Sequence, residues 1–190
     1  DSLAAAAKQG YRGILSNGYY VDLGWSAARH YAVDPLGGAA ANLTPEEQKL
    51  VLGGEACMWS EYVDPENIDS RIWPRTAAIA ERLWSPADVR DPASMYSRLP
   101  VISQHLEWVG LDHRTYQRGM IERMAGTSSP EEIAALQSLV EALEPVKDYT
   151  REEIGKEPTS QTPLNRVADA VNPESSVSRL FSDRMDAYLA

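Results

Sequence analysis

Gly53-Gly54-Glu55-Ala56-Cys57-Met58-Trp59-Ser60-Glu61-Tyr62 is the stretch that decides the fold. A short apolar run that begins at Val51 ends there in an aromatic residue and a carboxylate. Trp73-Pro74-Arg75 follows, and Ala78, Ile79 and Leu83 then recur near the helical period through Trp84. Strand, polar loop and helix, in that order, is how an α/β barrel delivers ligand-binding side chains to the C-terminal mouth of its strands. Gly53 and Gly54 within the strand predict a bulge or a close backbone approach.

Upstream, the same unit occurs once more. The alanine-rich Ser2 to Gln9 reads as a helix stopped by Gly10. Tyr11 to Ser16 reads as a short buried strand with Asn17-Gly18 at its exit. A long loop runs from Tyr19 to about Asn42, with a helical turn expected near Trp25 to Tyr31; a loop of that length in a compact domain is usually functional. Thr44-Pro45-Glu46-Glu47 supplies an N-cap, a proline at the first helical position and a capping-box glutamate. That helix must be short, because Val51 to Trp59 is the next strand.

Downstream, the pattern turns helical. Asn67 to Asp69 is placed to cap a helix, and Pro74 fits a first turn. Ala93 to Trp108 is a helix expected to kink or restart at Pro100, and His113 to Met124 is a further, basic one. Ser129-Pro130 opens a helix with Ile133, Leu136, Val140 and Leu143 at period 3.6. The polar stretch 152–161 reads as a linker. Thr162-Pro163 and Asn172-Pro173 are expected to start two more helices, the last with Val177, Leu180, Phe181 and Tyr188 on one face.

Composition excludes several classes. The chain has 190 residues, enough for one domain or one domain with an appendage. A net charge of −10 disfavours a nucleic-acid backbone as partner; it suits a neutral ligand and equally a solvated acidic surface. Cys57 is the single cysteine, which rules out an internal disulfide or a cysteine-based zinc site and marks it as a small buried hydrophobe. His30, His105 and His113 are scattered, with no H-E-x-x-H and no nearby paired carboxylates at metal-ligand spacing. No apolar stretch approaches the ~20 residues of a membrane span. The chain begins at Asp1 rather than Met, so its start reads as cut and the compartment of the parent protein is not read from it.

Two segments resemble glycoside hydrolase family 20, the β-N-acetylhexosaminidases. Gly10-Tyr11-Arg12-Gly13-Ile14-Leu15-Ser16-Asn17-Gly18-Tyr19-Tyr20-Val21-Asp22 is similar to the family's penultimate barrel strand with its Tyr-x-Asp motif. Gly53 to Tyr62 is similar to the last strand with its Trp-x-Glu motif. Tyr31-Ala32-Val33-Asp34-Pro35 and Trp73-Pro74-Arg75 share the likeness, whereas Tyr19 stands where many relatives carry Trp. The implied fold is α/β: the C-terminal portion of a (β/α)8 TIM barrel over residues 1–125, followed by an α-helical tail over 126–190. The remaining strands would lie upstream, and the unpaired sheet edge of the chain alone would favour self-association.

The resemblance also implies chemistry. Family members use the substrate's own 2-acetamido oxygen as nucleophile, assisted by an Asp-Glu pair that this chain does not contain. Tyr20 would donate its hydroxyl to that oxygen. Asp22 and Glu61 would accept the outer hydroxyls of the terminal sugar, and Trp59 would wall the pocket. The partner so implied is a glycan or chitooligosaccharide ending in N-acetylhexosamine. Trp25 reads equally as a pocket lid or a packed anchor. Glu55 is expected to be structural, paired with Arg12, Arg71 or Arg75, and Glu81-Arg82 to be an ion-pair feature. The competing readings are a non-catalytic sugar-binding relative, which an Asp-Glu pair ending an earlier strand of the full-length protein would exclude, and a helical assembly module on a barrel remnant, which would fail if the tail packed on the barrel's own helices.

Overall fold

The computed structural model describes residues 2–127, 129–150, 159 and 161–189. Most of the stretch read as a linker, 152–161, lies outside the described residues. Two parallel strands, β1 (Gly13–Leu15) and β2 (Val51–Gly54), form the sheet. Helix α1 (Ser2–Lys8) precedes β1, and α2 (Ala27–Tyr31) and α3 (Pro45–Gln48) lie between the strands. Thr44 and Glu47 close the expected capping box at α3. Ala4 and Ala7 of α1 pack with Ala40 and Leu43, against Leu50 and Val51.

Both strands are shorter than their apolar runs. Gly13 pairs with Val51 and Leu15 with Gly54, so β2 carries one extra residue between the same two rungs. That bulge interrupts the ladder. Pairing continues through Glu55 N–H to the Leu15 carbonyl at 3.0 Å and resumes as a parallel bridge between Tyr20 and Cys57. Gly54 is there for space: a Cβ would sit 2.4 Å from Tyr19 Cε2. The Tyr19 ring is fully buried and packs with Val21 on Ile79. The strands' other face is apolar yet open, with Ile14 49% and Leu52 57% exposed.

The helices after β2 wrap this unit. They are α4 (Ile68–Ile72), α5 (Arg75–Trp84) and α6 (Pro92–Trp108). Asn67 precedes α4 without capping it by its side chain; instead Asp64 Oδ1 accepts the Glu66 and Asn67 N–H groups at 2.9 Å each. The Trp73–Pro74 peptide is cis, and Pro74 stands just before α5 rather than in its first turn. Ala27 and Tyr31 of α2 meet Ala78 of α5 and Met95 and Leu99 of α6 in one core. Helix α6 runs through Pro100 as one element, so of the expected kink or restart the restart does not occur.

Helices α7 (Tyr116–Ala125), α8 (Pro130–Ala142), α9 (Val167–Ala170) and α10 (Ser176–Leu189) complete the described chain. Gly126 ends α7 in a left-handed conformation, and Ser129 caps α8 by accepting from Glu132 N–H. Thr162-Pro163 does not open a helix; α9 starts five residues later, where Asp169 accepts the Arg166 N–H at 2.8 Å. Asn172 acts before α10 by accepting the Glu174 N–H. The apolar face named for α10 is exposed, and the helix buries Ser178 instead.

The tail is folded onto the rest. Tyr116, Met120, Ile121, Val140, Ala170 and Val171 share one core, which spans the 125/126 division read from the sequence. Arg71 of α4 donates to the Val171 and Asp169 carbonyls at 2.8 Å each, and Glu174 accepts the Ala27 N–H at 2.7 Å. Ordering so many partners in one arrangement argues against a free-standing assembly module. Among the described residues, no helix is long and apolar enough to cross a membrane.

Candidate active site

The exits of the two strands converge. The Tyr20–Cys57 bridge is flanked by Cys57 N–H to the Tyr19 carbonyl at 3.0 Å and Val21 N–H to the Cys57 carbonyl at 2.9 Å. Asp22, 8% exposed, then accepts the Trp59 backbone N–H on Oδ2 at 2.6 Å. Tyr20, Asp22 and Trp59 therefore belong to one locus. Trp59 itself is 70% exposed, so its ring presents a face rather than filling a core.

Glu61 joins this locus through Asp22. The neighbouring Asp22 carboxyl, and after it partial burial, raises the Glu61 pKa. Asp22 Oδ1 and Glu61 Oε2 have no hydrogen-bond donor among the described residues. Ser60 and Tyr62 on either side of Glu61 have φ of 71° and 56°. Side chains rarely adopt that left-handed backbone, and residues held in it cluster at functional sites.

Buried arginine holds the loop in place. Arg75 is fully buried and donates to the Val21, Trp25 and Arg71 carbonyls, with Nη1 to Trp25 at 2.6 Å. Burial, more than the neighbouring Arg71, pushes its pKa down to about 9. The guanidinium thus binds the backbone on both sides of Asp22. Glu55 does not receive an arginine: it is exposed and accepts from Ser16 Oγ at 2.6 Å. The expected Glu55 ion pair is corrected, because Arg71 and Arg75 are taken up by backbone carbonyls.

The other charge pairs are structural. Glu81 pairs with Arg98 at 2.6 Å and accepts the Tyr31 hydroxyl at 2.9 Å, while Arg82 lies 3.8 Å from Asp34. Trp25 is an anchor: its Nε1 donates to Asp148 Oδ1 at 2.9 Å, and Arg29 and Lys147 lie 5.3 and 5.4 Å over its ring. Sequence reasoning missed Asp148 and Tyr149, which reach the site from the tail; Tyr149 donates to Glu61 Oε1 at 3.5 Å. Nothing local in their sequence signals that role.

Two clefts flank the loop. A small one, about 30 Å³, is lined by Asp22, Tyr62, Pro145 and Val146. A groove of about 570 Å³ lies among Tyr96, Glu174 and Arg179 and contains none of the four site residues. Within it Arg179 stacks 3.8 Å over Tyr96 and binds Glu174 at 3.3 Å. The smaller cleft is the one beside the convergent carboxylates.

Comparison with known proteins gives a consistent picture. Residues 1–87 match the catalytic domain of glycosyl hydrolase family 20. The human beta-hexosaminidase subunit beta is 43% identical over 104 residues, covering 52% of this chain and 18% of that protein. The bovine beta-hexosaminidase subunit alpha is 43% identical over 100 residues, 51% of this chain and 18% of its own. A solved chitobiase of Flavobacterium johnsoniae aligns with 99% of this chain and 28% of its own, at 41% identity and a TM-score of 0.88. The chain thus spans less than a fifth of these two curated relatives and 28% of the solved chain.

Proposed function

We propose, from the match of residues 1–87 to the catalytic domain of glycosyl hydrolase family 20, that this chain supplies the sugar-binding wall of a β-N-acetylhexosaminidase. Residues 1–125 are the C-terminal portion of its (β/α)8 barrel, and 126–190 are a helical extension that shares the core of α7. The open apolar face at Ile14 and Leu52 supports this, since further strands of a barrel would cover it. The substrate is a glycan or chitooligosaccharide ending in N-acetylhexosamine. The reading calls for no cofactor or metal.

Each residue has a chemical task. The Tyr20 hydroxyl donates to the substrate's acetamido oxygen and holds it for attack on the anomeric carbon. Such preorganised donation stabilises charge that develops as the cyclic intermediate forms. Asp22 and Glu61 accept the outer hydroxyls of the terminal sugar, and Trp59 covers its apolar face. The general acid and the acetamido-orienting carboxylate come from a part of the longer protein upstream of this chain.

The observation that carries the reading is the Asp22–Glu61 pair, with one oxygen on each lacking a donor among the described residues. Sugar hydroxyls are donors of the right kind for both. Glu61→Gln in the longer protein is expected to weaken an N-acetylglucosamine-derived inhibitor by roughly tenfold or more, the loss of a hydrogen bond to a charged group. A folded Glu61→Gln protein that bound it as tightly as wild type would remove Glu61 from the pocket.

A further inference from the structure

The helical extension reaches the site through residues 144–149. Asp148 N–H donates to the Leu23 carbonyl at 3.1 Å, and Trp25 Nε1 donates to Asp148 Oδ1 at 2.9 Å. Gly24 between them has φ 73°, and a Cβ there would stand 3.0 Å from the Val146 carbonyl oxygen. The segment is therefore clasped to the loop that follows Asp22. Asp148 has φ 53°, a left-handed conformation that aspartate adopts more readily than most residues. That turn sends Tyr149 to Glu61, where its hydroxyl lies 3.5 Å from Oε1.

We propose that Tyr149 is a positioning residue of the sugar site, its hydroxyl donating to Glu61 Oε1 and turning that carboxylate so that its remaining acceptor sites face the sugar. The inference rests on the reading of Glu61 as a sugar-binding residue. A carboxylate has about four acceptor sites, so one donor leaves room for sugar hydroxyls. Tyr149 also opposes Asp22 electrostatically, since its hydroxyl lowers the Glu61 pKa while Asp22 raises it. The tail is thereby part of the binding wall, although it acts through another residue.

The effect is modest, because Tyr149 is 49% exposed and water competes for its hydroxyl. Tyr149→Phe in the longer protein is expected to raise KM for an aryl N-acetylglucosaminide, and the Kd of an N-acetylglucosamine-derived inhibitor, roughly fivefold, with kcat changed by less than about twofold. Its unfolding midpoint stays that of wild type. On a Glu61→Ala background the same substitution has no further effect on inhibitor binding, because the contribution passes through Glu61. Asp148→Ala, which loosens the clasp but keeps the hydroxyl, shows the same KM-weighted defect.

Inhibitor binding by Tyr149→Phe equal to wild type, or a loss that adds to that of Glu61→Ala, would overturn the proposal while leaving the sugar site intact. A wild-type protein that neither cleaves the glycoside nor binds the inhibitor would instead overturn the Glu61 reading, and Tyr149 with it.

Discussion

The Asp22 carboxylate accepts the Trp59 backbone N–H at 2.6 Å, joining the exits of two strands that lie nearly forty residues apart in the chain. A charged acceptor on a backbone donor is among the stronger hydrogen bonds, and here it is largely buried. It fixes the start of the Trp59-Ser60-Glu61 turn relative to Tyr20. The site's geometry therefore depends on backbone pairing as much as on side chains.

Tyr20→Phe separates positioning from binding. Removing the hydroxyl is expected to lower kcat of the longer protein by roughly 100- to 1,000-fold, as loss of an oxyanion-type donor does. Inhibitor affinity changes far less if the inhibitor lacks a charge-developing acetamido group. Steady-state kinetics on an aryl N-acetylglucosaminide read both; an unchanged kcat would end the assignment.

Arg75 is the structural keystone of the loop. Arg75→Met would leave the Val21, Trp25 and Arg71 carbonyls without their donor. The expected cost is about 3–5 kcal/mol, typical of breaking a buried charged network from one side. Chemical denaturation measures it. A loss within experimental error would mean that these carbonyls find water or other partners.

His30 sets a pH dependence of known sign. It is buried behind the loop, with Nδ1 donating to the Gly18 carbonyl at 2.8 Å, and burial lowers its pKa from 6.5 to about 4. A group whose protonated form is disfavoured in the fold stabilises fully above the unfolded value of 6.5. That contribution is lost as pH falls from 6.5 towards 4, by up to about 3 kcal/mol. His30→Gln should flatten the fall in unfolding midpoint over this window, whereas an unaltered slope would assign it to other groups.

The isolated chain is expected to be inactive. It carries Tyr20, Asp22, Trp59 and Glu61 but no Asp-Glu pair on an earlier strand. Its open strand edges and the exposed Ile14 and Leu52 favour self-association. Activity assayed beside a size measurement should give negligible turnover and more than a monomer. Turnover of about 1–1,000 per second, the ordinary enzyme range, would place catalytic groups within this chain, with Glu55 first to re-examine.

Local signals in the sequence were the readable ones. Thr44-Pro45 with Glu47 and the glycine pair at Gly53-Gly54 each specify a backbone feature within a few residues, and both appear. The convergence of Tyr20, Asp22, Trp59 and Glu61 was legible because each follows a strand, and adjacent parallel strands end together. The fate of the arginines was not, because Arg71 and Arg75 bind backbone carbonyls, which carry no sequence signature. Tyr149 was illegible for a related reason: it meets Glu61 across 88 residues with no period connecting them. Thr162-Pro163 shows the converse error, a good helix start whose following residues form no helix until Val167.

The most direct test is a crystal structure of the longer protein with an N-acetylglucosamine-derived inhibitor bound. The account predicts the Tyr20 hydroxyl against the acetamido-derived atom, and Asp22 and Glu61 oxygens within about 3.2 Å of the outer sugar hydroxyls, the ordinary hydrogen-bond limit. Trp59 would lie flat along the sugar's apolar face. An inhibitor bound where none of these four side chains touches it would contradict the account.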